Sequence, residues 1–351
     1  MIAPRLHRLT RRLRRDMCGE ARAVEAPFAR IDAGFSRARV VIKFYYLFSA
    51  YISYLAAESM HRLAEQTPEW DFVWPVRWLA ALPIETSIDW LTLACFLTSL
   101  LAFQFPGQRL FRILFAAAFL CVTALSCSEG GTNHLYHAWL WIAVCLIFLP
   151  RISIGKTSRL AKMAYLTTIA ACQALLLSFY SLAGMWKTLT GIEALVVGRV
   201  GSLSPGGLSA TLADRMLQTG TSPLLAHVVI DHVWLAWPMF LALIYVQLFS
   251  IFVVFRPHLH VLWGYLLISF HLGTWLLMEI VFPQHVLFLA LFFVLSPFRP
   301  DRMTPFDILV SLPVFGPAFR RALSPDFGLS AAARRAVTVP PRSPASSDPA
   351  I

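Results

Sequence analysis

The chain has 351 residues, of which 58% are hydrophobic and only 14% are charged. Soluble domains average about 25% charged and about 45–50% apolar residues. A water-soluble globule of this length cannot bury so much apolar surface. The composition therefore excludes a soluble enzyme, a disordered chain and a fibre, and it favours a helical membrane protein with several spans.

The formal net charge is +11, with 30 Lys and Arg against 19 Asp and Glu. In so apolar a chain, basic cytoplasmic loops explain this excess better than nucleic-acid binding does, so we expect contact with membrane lipids and no nucleic-acid partner. The six cysteines include no Cys-x-x-Cys pair. We therefore predict neither a disulfide framework nor a metal site.

The N-terminal residues 1–39 form an Arg-rich head. No apolar core with a small-residue cleavage site follows them, so the sequence does not read as a cleaved secretion signal. A basic amphipathic segment lying on anionic lipid at the cytoplasmic face is the favoured interpretation.

Charge-free runs mark the membrane spans. A hydrocarbon layer about 30 Å thick needs about 20 helical residues. The eight predicted spans cover residues 44–57 (extended back to residue 40), 90–108, 113–128, 130–150, 163–186, 233–255, 257–278 and 280–298. Pro283 is expected to separate the last two, because proline interrupts the helical hydrogen-bond ladder.

Basic and non-basic loops alternate along these spans, as the positive-inside rule requires. The fold class is therefore an all-α, polytopic transmembrane helix bundle of about eight spans, with both termini cytoplasmic, in the inner (cytoplasmic) membrane of the cell. Seven spans would place one Arg-rich end outside. The predicted domains are the head, a transmembrane domain over residues 40–300, and a cytoplasmic tail over residues 301–351. Residues 324–351, rich in Pro, Ala and Ser, are expected to be disordered.

Ionisable groups within spans are functional candidates, because they are costly in hydrocarbon. Lys187 is one of four lysines in the chain and the only one predicted on the outer side. Tyr180, Gly184 and Lys187 are spaced i, i+4, i+7 and share one helix face. Gly184 permits close approach of a neighbouring helix or a ligand. The alternative for Lys187 is a side chain that ends its helix by snorkelling to the interface.

Two further spans carry polar residues. Asn133 and His134 stand where span four enters from the outside; Asn133 is also a suitable helix cap, and His134 a suitable structural hydrogen-bonding residue. His271 lies near the middle of span seven, where even a neutral imidazole needs a partner, which another helix can provide. Asn133, His134 and Lys187 lie at the outer ends of spans four and five, which a short loop joins, so these spans are expected to be neighbours. His271 approaches the same level from span seven. We therefore expect one outward-facing polar pocket. His260, near a short inner loop, is expected to be solvated.

Three short elements carry a resemblance to a known family. They are Thr132-Asn133-His134-Leu135-Tyr136, Tyr180-Ser-Leu-Ala-Gly-Met-Trp-Lys187, and Phe270-His271-Leu-Gly273 followed by Met278-Glu-Ile-Val-Phe-Pro283. In this order and spacing they resemble the HTTM (horizontally transferred transmembrane) domain, shared with vitamin K-dependent gamma-glutamyl carboxylase. The likeness covers roughly residues 36–300.

This resemblance implies a chemistry. In the carboxylase the motif lysine is the base that activates reduced vitamin K, and the motif histidine lies in the same site. Carried over by motif, Lys187 and His134 would be catalytic, while Asn133, Tyr180, Gly184 and His271 would hold a reduced, vitamin K-like quinone. A lysine acts as a base only as the neutral amine, which an apolar pocket favours.

The sequence departs from the carboxylase after the last span. The carboxylase continues into a large lumenal domain that binds propeptide and substrate, whereas roughly 50 residues follow span eight here. Protein carboxylation is therefore not the expected reaction. Two hypotheses remain: carboxylase- or epoxidase-like chemistry on a reduced quinone, and a non-enzymatic membrane partner for export or maturation of a peptide or protein. A transporter is disfavoured, because the chain lacks paired broken helices in two matching halves.

Overall fold

The computed structural model describes residues 27–66, 70–130, 136–151, 157–301 and 303–323. These residues contain 13 α-helices and no β-strand. In chain order the helices are α1 (Pro27–Gln66), α2 (Ile84–Gln104), α3 (Arg109–Ser126), α4 (His137–Leu146), α5 (Arg159–Val196), α6 (Gly207–Thr219), α7 (Ala226–Asp231), α8 (Val233–Leu248), α9 (Ser250–Val253), α10 (His260–Met278), α11 (Pro283–Leu289), α12 (Pro305–Ser311) and α13 (Gly316–Leu323). A π-helical turn, Ala290–Val294, continues α11.

Five helical stretches are long and apolar enough to cross a membrane. They are Arg30–Gln66, Ile84–Gln104, Arg109–Ser126, Arg159–Val196 and Pro257–Met278. Three shorter apolar helical stretches are His137–Leu146, Val233–Leu248 and Pro283–Val294. These lengths confirm the all-α class and indicate a multi-pass membrane protein. In chain order, each of the eight stretches overlaps one of the eight charge-free runs of the sequence.

The chain divides into two compact units, residues 1–301 and 302–351. The first unit holds all the long apolar helices, and the described part of the second consists of α12 and α13. Helix α1 begins at Pro27, so the predicted boundary of the basic head at residue 39 falls inside a continuous helix. Residues 1–26 of that head and the predicted disordered segment 324–351 lie outside the described residues.

An aromatic stack joins helices that are far apart in sequence. The ring of Tyr45 on α1 stacks on Trp139 of α4 at 5.1 Å, and Trp139 packs 4.1 Å from Phe288 of α11. The polar ends of these rings are paired: the Tyr45 hydroxyl donates to the Trp139 carbonyl at 3.0 Å, and Trp139 Nε1 donates to Ser49 Oγ at 2.8 Å. Buried Tyr and Trp need such partners, so this cluster holds α1, α4 and α11 in register.

The turn between α10 and α11 sets the direction of the last long apolar segment. Helix α10 ends at Met278, and Glu279 adopts a left-handed conformation with φ 56°. Pro283 then occupies the first turn of α11. A proline lacks the N–H group that the first turn leaves unpaired anyway. The predicted break at Pro283 is therefore confirmed.

The expectation that His260 is solvated is wrong. His260 is the first residue of α10 and is completely buried. Its ring packs edge-on against Phe293 with the centroids 5.7 Å apart. The loop before α10 is only a short 3-10 turn, Pro257–Leu259, so the start of α10 stays packed under the π-helical turn instead of reaching water.

Candidate functional site

Helix α5 carries the predicted motif on its buried face. It runs without interruption from Arg159 to Val196. Its buried residues recur at three- and four-residue intervals, and this stripe includes Tyr180 and Gly184. Lys187 follows three residues later and is half-buried. The predicted shared face is therefore present: Tyr180 and Gly184 lie in the protein interior, and Lys187 lies at its half-buried end.

A hydrogen bond joins this face to α10. The Tyr180 hydroxyl lies 2.7 Å from His271 Nε2, and each residue is only 6% exposed. His271 Nδ1 is buried and has no partner among the described residues. Neutral imidazole has one donor and one acceptor nitrogen. Nε2 can act as the donor or the acceptor toward Tyr180. In either case Nδ1 is left with one hydrogen bond that it does not make.

Two further rings pack against the imidazole of His271. Phe282 packs edge-on against the imidazole with a centroid separation of 5.2 Å, and His285 lies at the same centroid distance. His285 stands in the first turn of α11, and its Nδ1 is likewise buried without a hydrogen-bond partner in the described chain. Two imidazole nitrogens are thus left unsatisfied in one apolar setting, which is uncommon for buried polar groups.

Lys187 stands apart from this pair along α5. Seven residues separate it from Tyr180, or about 10 Å along the helix axis. Helical side chains lean toward the N-terminus, so the lysine stem leans back toward Tyr180. Within the described residues the ammonium forms no ion pair or hydrogen bond. The Lys187 carbonyl accepts a hydrogen bond from the Ser202 hydroxyl, which ties the segment after α5 to this position.

Gly184 is the point where α8 crosses α5. A Cβ atom at this position would lie 2.3 Å from the backbone nitrogen of Leu248. One turn earlier, the Ser181 hydroxyl oxygen accepts a hydrogen bond from the Ile251 N–H at 2.8 Å. Of the two neighbours that the sequence allowed for Gly184, a helix or a ligand, the structure places a helix directly against it.

Asn133 and His134, the span-four members of the predicted site, lie outside the described residues. The next described residue, Tyr136, is buried, and its ring packs edge-on against Phe119 with centroids 6.1 Å apart. The expected meeting of Asn133 and His134 with Lys187 therefore stays a prediction.

His285 and Phe282 are the site residues that the sequence analysis did not assign. The sequence feature that could have identified them is Pro283, which predicts a turn after α10. Such a turn brings the residues that follow it back toward His271. The described residues contain no group of three or more His, Cys, Asp or Glu side chains placed to hold a metal ion. The available chemistry is that of a phenol, two imidazoles and a primary amine in apolar surroundings.

This donor set fits a hydroxylated ring ligand. The unpaired Nδ1 of His271 offers one hydrogen-bonding position, and the Phe282 ring that packs against the imidazole suits an aromatic ring face.

No protein-family model, curated protein or solved structure matches the chain. The family likeness therefore depends on the three short motifs alone.

Proposed function

We propose that the chain crosses the inner membrane eight times with both termini in the cytoplasm. The three shorter apolar helices supply the spans beyond the five long ones. Exposed tryptophans support the placement of the span ends, since such residues concentrate at both membrane interfaces. Six of them lie in the predicted outer loop before α2 or at predicted outer ends of helices: Trp74, Trp78, Trp90, Trp186, Trp234 and Trp275.

We further propose that this is an HTTM-type protein whose outward-side polar pocket binds a reduced quinone and carries out carboxylase- or epoxidase-like chemistry on it. The observation that carries the proposal is the Tyr180–His271 hydrogen bond with its unpaired imidazole nitrogen. Incompletely paired polar groups within apolar helices are costly and mark functional sites. The half-buried Lys187 continues the same face of α5.

Each residue has a distinct role in this proposal. Lys187, as the neutral amine, accepts the proton of a hydroquinone hydroxyl group. Tyr180 and His271 hold a ring oxygen by hydrogen bonds, and Asn133 and His134 complete the pocket as the motif implies. In the epoxidase-like reaction the hydroquinone and dioxygen would give a quinone epoxide and water, so the ring loses four electrons and dioxygen accepts them. Loss of the hydroxyl proton makes these electrons easier to remove.

The test is hydroquinone oxidation by membranes that contain the Lys187→Ala variant. We expect at least about a hundredfold loss of rate, the usual effect of removing a general base. Lys187→Arg keeps a cation that does not release its proton, so it should be equally inactive. Lys43→Ala, at an exposed lysine of α1, is the matched control and should keep full activity. Unchanged turnover in Lys187→Ala removes this lysine from the mechanism.

The second candidate is a non-enzymatic partner for an exported peptide or protein. Three apolar side chains in or beside the predicted outer loop after α5, namely Val196, Leu217 and Leu224, are each at least 80% exposed. Exposed apolar surface is a common feature of interaction sites. The two candidates differ in what the purified protein retains. Mass spectrometry of extracted lipids showing a bound quinone supports the enzyme, whereas a stoichiometric polypeptide without quinone supports the partner.

A further inference from the structure

A basic cavity lies where the N-terminus of α3 meets the C-terminal end of α4, and neither Tyr180 nor His271 lines it. Its volume is about 330 Å³. Its lining residues are Arg109, Ile147, Phe148, Leu149, Pro150 and Arg151. Both arginines are exposed, and in the part of the chain that the structure describes neither is paired with a carboxylate. The cavity therefore presents two uncompensated positive charges.

A third arginine lies behind the cavity wall. Arg112 is completely buried, and its Nη1 donates to the carbonyl of Leu146, the residue before the lining segment, at 2.9 Å. Its Nε and Nη2 atoms have no hydrogen-bond partner among the described residues. Arg109 and Arg151 both repel its charge, and no described carboxylate offsets them. Such an arrangement is stabilised by a bound anion.

The end of α3 adds to this positive field. The helix has 18 residues, and no side-chain hydrogen bond from Gln108 caps its N-terminus. The unpaired N–H groups of a first helical turn carry partial positive charge and favour phosphate groups. Arg109 is the first residue of that turn, so the helix end and the two exposed guanidinium groups act on the same cavity.

The surface beside the cavity is apolar. Phe148 is 68% exposed, and the guanidinium carbon of Arg109 lies 5.9 Å from the centroid of its ring. Leu110, Ile113 and Leu114 are exposed along the neighbouring face of α3. A free phosphate ion needs only the arginines. A phospholipid uses both surfaces, because its phosphate meets the cations while its acyl chains cover the apolar side chains.

We propose that this cavity binds the phosphate headgroup of an anionic phospholipid, held by Arg109 and Arg151 with its acyl chains lying over Phe148 and α3. In the eight-span topology both arginines are at the cytoplasmic face, where anionic lipids concentrate. The site is independent of the quinone pocket.

Native mass spectrometry of the purified full-length chain, titrated with phosphatidylglycerol or phosphatidylcholine in one detergent, tests the proposal. We expect phosphatidylglycerol to bind at least about tenfold more tightly than phosphatidylcholine. In the Arg109→Gln/Arg151→Gln double variant, the phosphatidylglycerol affinity should fall about thirtyfold. Each arginine near an anionic headgroup contributes about fivefold in affinity, and the variant removes two. Both side chains are exposed, so the fold should persist, which the melting temperature checks.

Arg320→Gln/Arg321→Gln is the matched control, because it removes the same charge from exposed positions of α13. This control should keep the wild-type preference for phosphatidylglycerol. Equal loss in both double variants would mean that net charge, rather than the cavity, attracts the lipid, and the proposal would fail. Displacement of the lipid by millimolar inorganic phosphate would show instead a site for the free ion.

Discussion

Two histidines on α10 occupy opposite situations. His260 and His271 are eleven residues apart, and both are buried. Around His260 every hydrogen bond has a defined direction. Nε2 lies 3.0 Å from the Val253 carbonyl, which can only accept, so this nitrogen carries the proton. Nδ1 then accepts from the Ser296 hydroxyl at 2.7 Å.

The His260 network extends to α5. The amide nitrogen of Gln173 donates to the Phe292 carbonyl at 2.6 Å and to Ser296 Oγ at 3.2 Å. The Ser296 hydroxyl can therefore accept from Gln173 while donating to His260. Both nitrogens of His260 are used within the protein. His260 thereby links the start of α10 to Ser296, which follows the π-helical turn after α11.

His271 has only half of this arrangement. One nitrogen meets Tyr180, and the other meets no partner in the described residues. Burial alone does not distinguish these two histidines. The number of paired nitrogens does, because an unpaired buried nitrogen is a cost that a ligand can remove.

The largest expected effect is on stability at His260. In His260→Ala, the free energy of unfolding should fall by about 2–4 kcal/mol, because Val253 and Ser296 lose their partner and a void remains. His271→Ala leaves a similar void but loses one hydrogen bond instead of two and removes an unpaired nitrogen, so its loss should be smaller by about 1–2 kcal/mol. Thermal unfolding of both variants in the same detergent measures the difference. Equal losses of unfolding free energy in the two variants would contradict the expected difference between His260 and His271.

A ligand-induced shift sharpens the comparison. A reduced naphthoquinone at one hundred times its dissociation constant should stabilise the wild-type protein by about 2.7 kcal/mol. His260→Ala should show the same shift from a lower starting melting temperature, because its quinone pocket is intact. His271→Ala should show a much smaller one. A full shift in His271→Ala would place the ligand elsewhere.

The smallest expected effect is at Tyr180. Tyr180→Phe keeps the ring and removes the hydroxyl that meets His271, so the free energy of unfolding should change by about 0.5–1.5 kcal/mol. Quinone affinity, measured by fluorescence titration, should fall about tenfold, corresponding to one lost hydrogen bond. Tyr165→Phe is the control, since this buried tyrosine lies on the same helix fifteen residues before Tyr180, outside the proposed pocket. Matching losses in both variants would assign the effect to general destabilisation.

Much of the fold was predictable because a membrane imposes simple rules. Charge-free runs located the eight apolar helices, and Pro283 located the break between α10 and α11. Helical spacing also placed Tyr180 and Gly184 on one buried face of α5. These predictions depend only on local sequence and on the cost of charge in hydrocarbon.

Contacts between helices were not predictable in the same way. Loop proximity suggested that His260 is solvated, yet Ser296 and Val253 bury and pair it. The approach of His285 to His271 depends on the left-handed turn at Glu279, which no periodicity shows. Sequence spacing assigns residues to faces of a helix, but only the packing decides which faces meet.

The crossing at Gly184 has a mechanical consequence. A Cβ atom at this glycine would collide with the backbone of Leu248, so the two backbones meet there with no side chain between them. Sliding of α8 along α5 would force its backbone against the Cβ atom of a neighbouring residue. The crossing therefore fixes the register of α8 against the face of α5 that carries Tyr180.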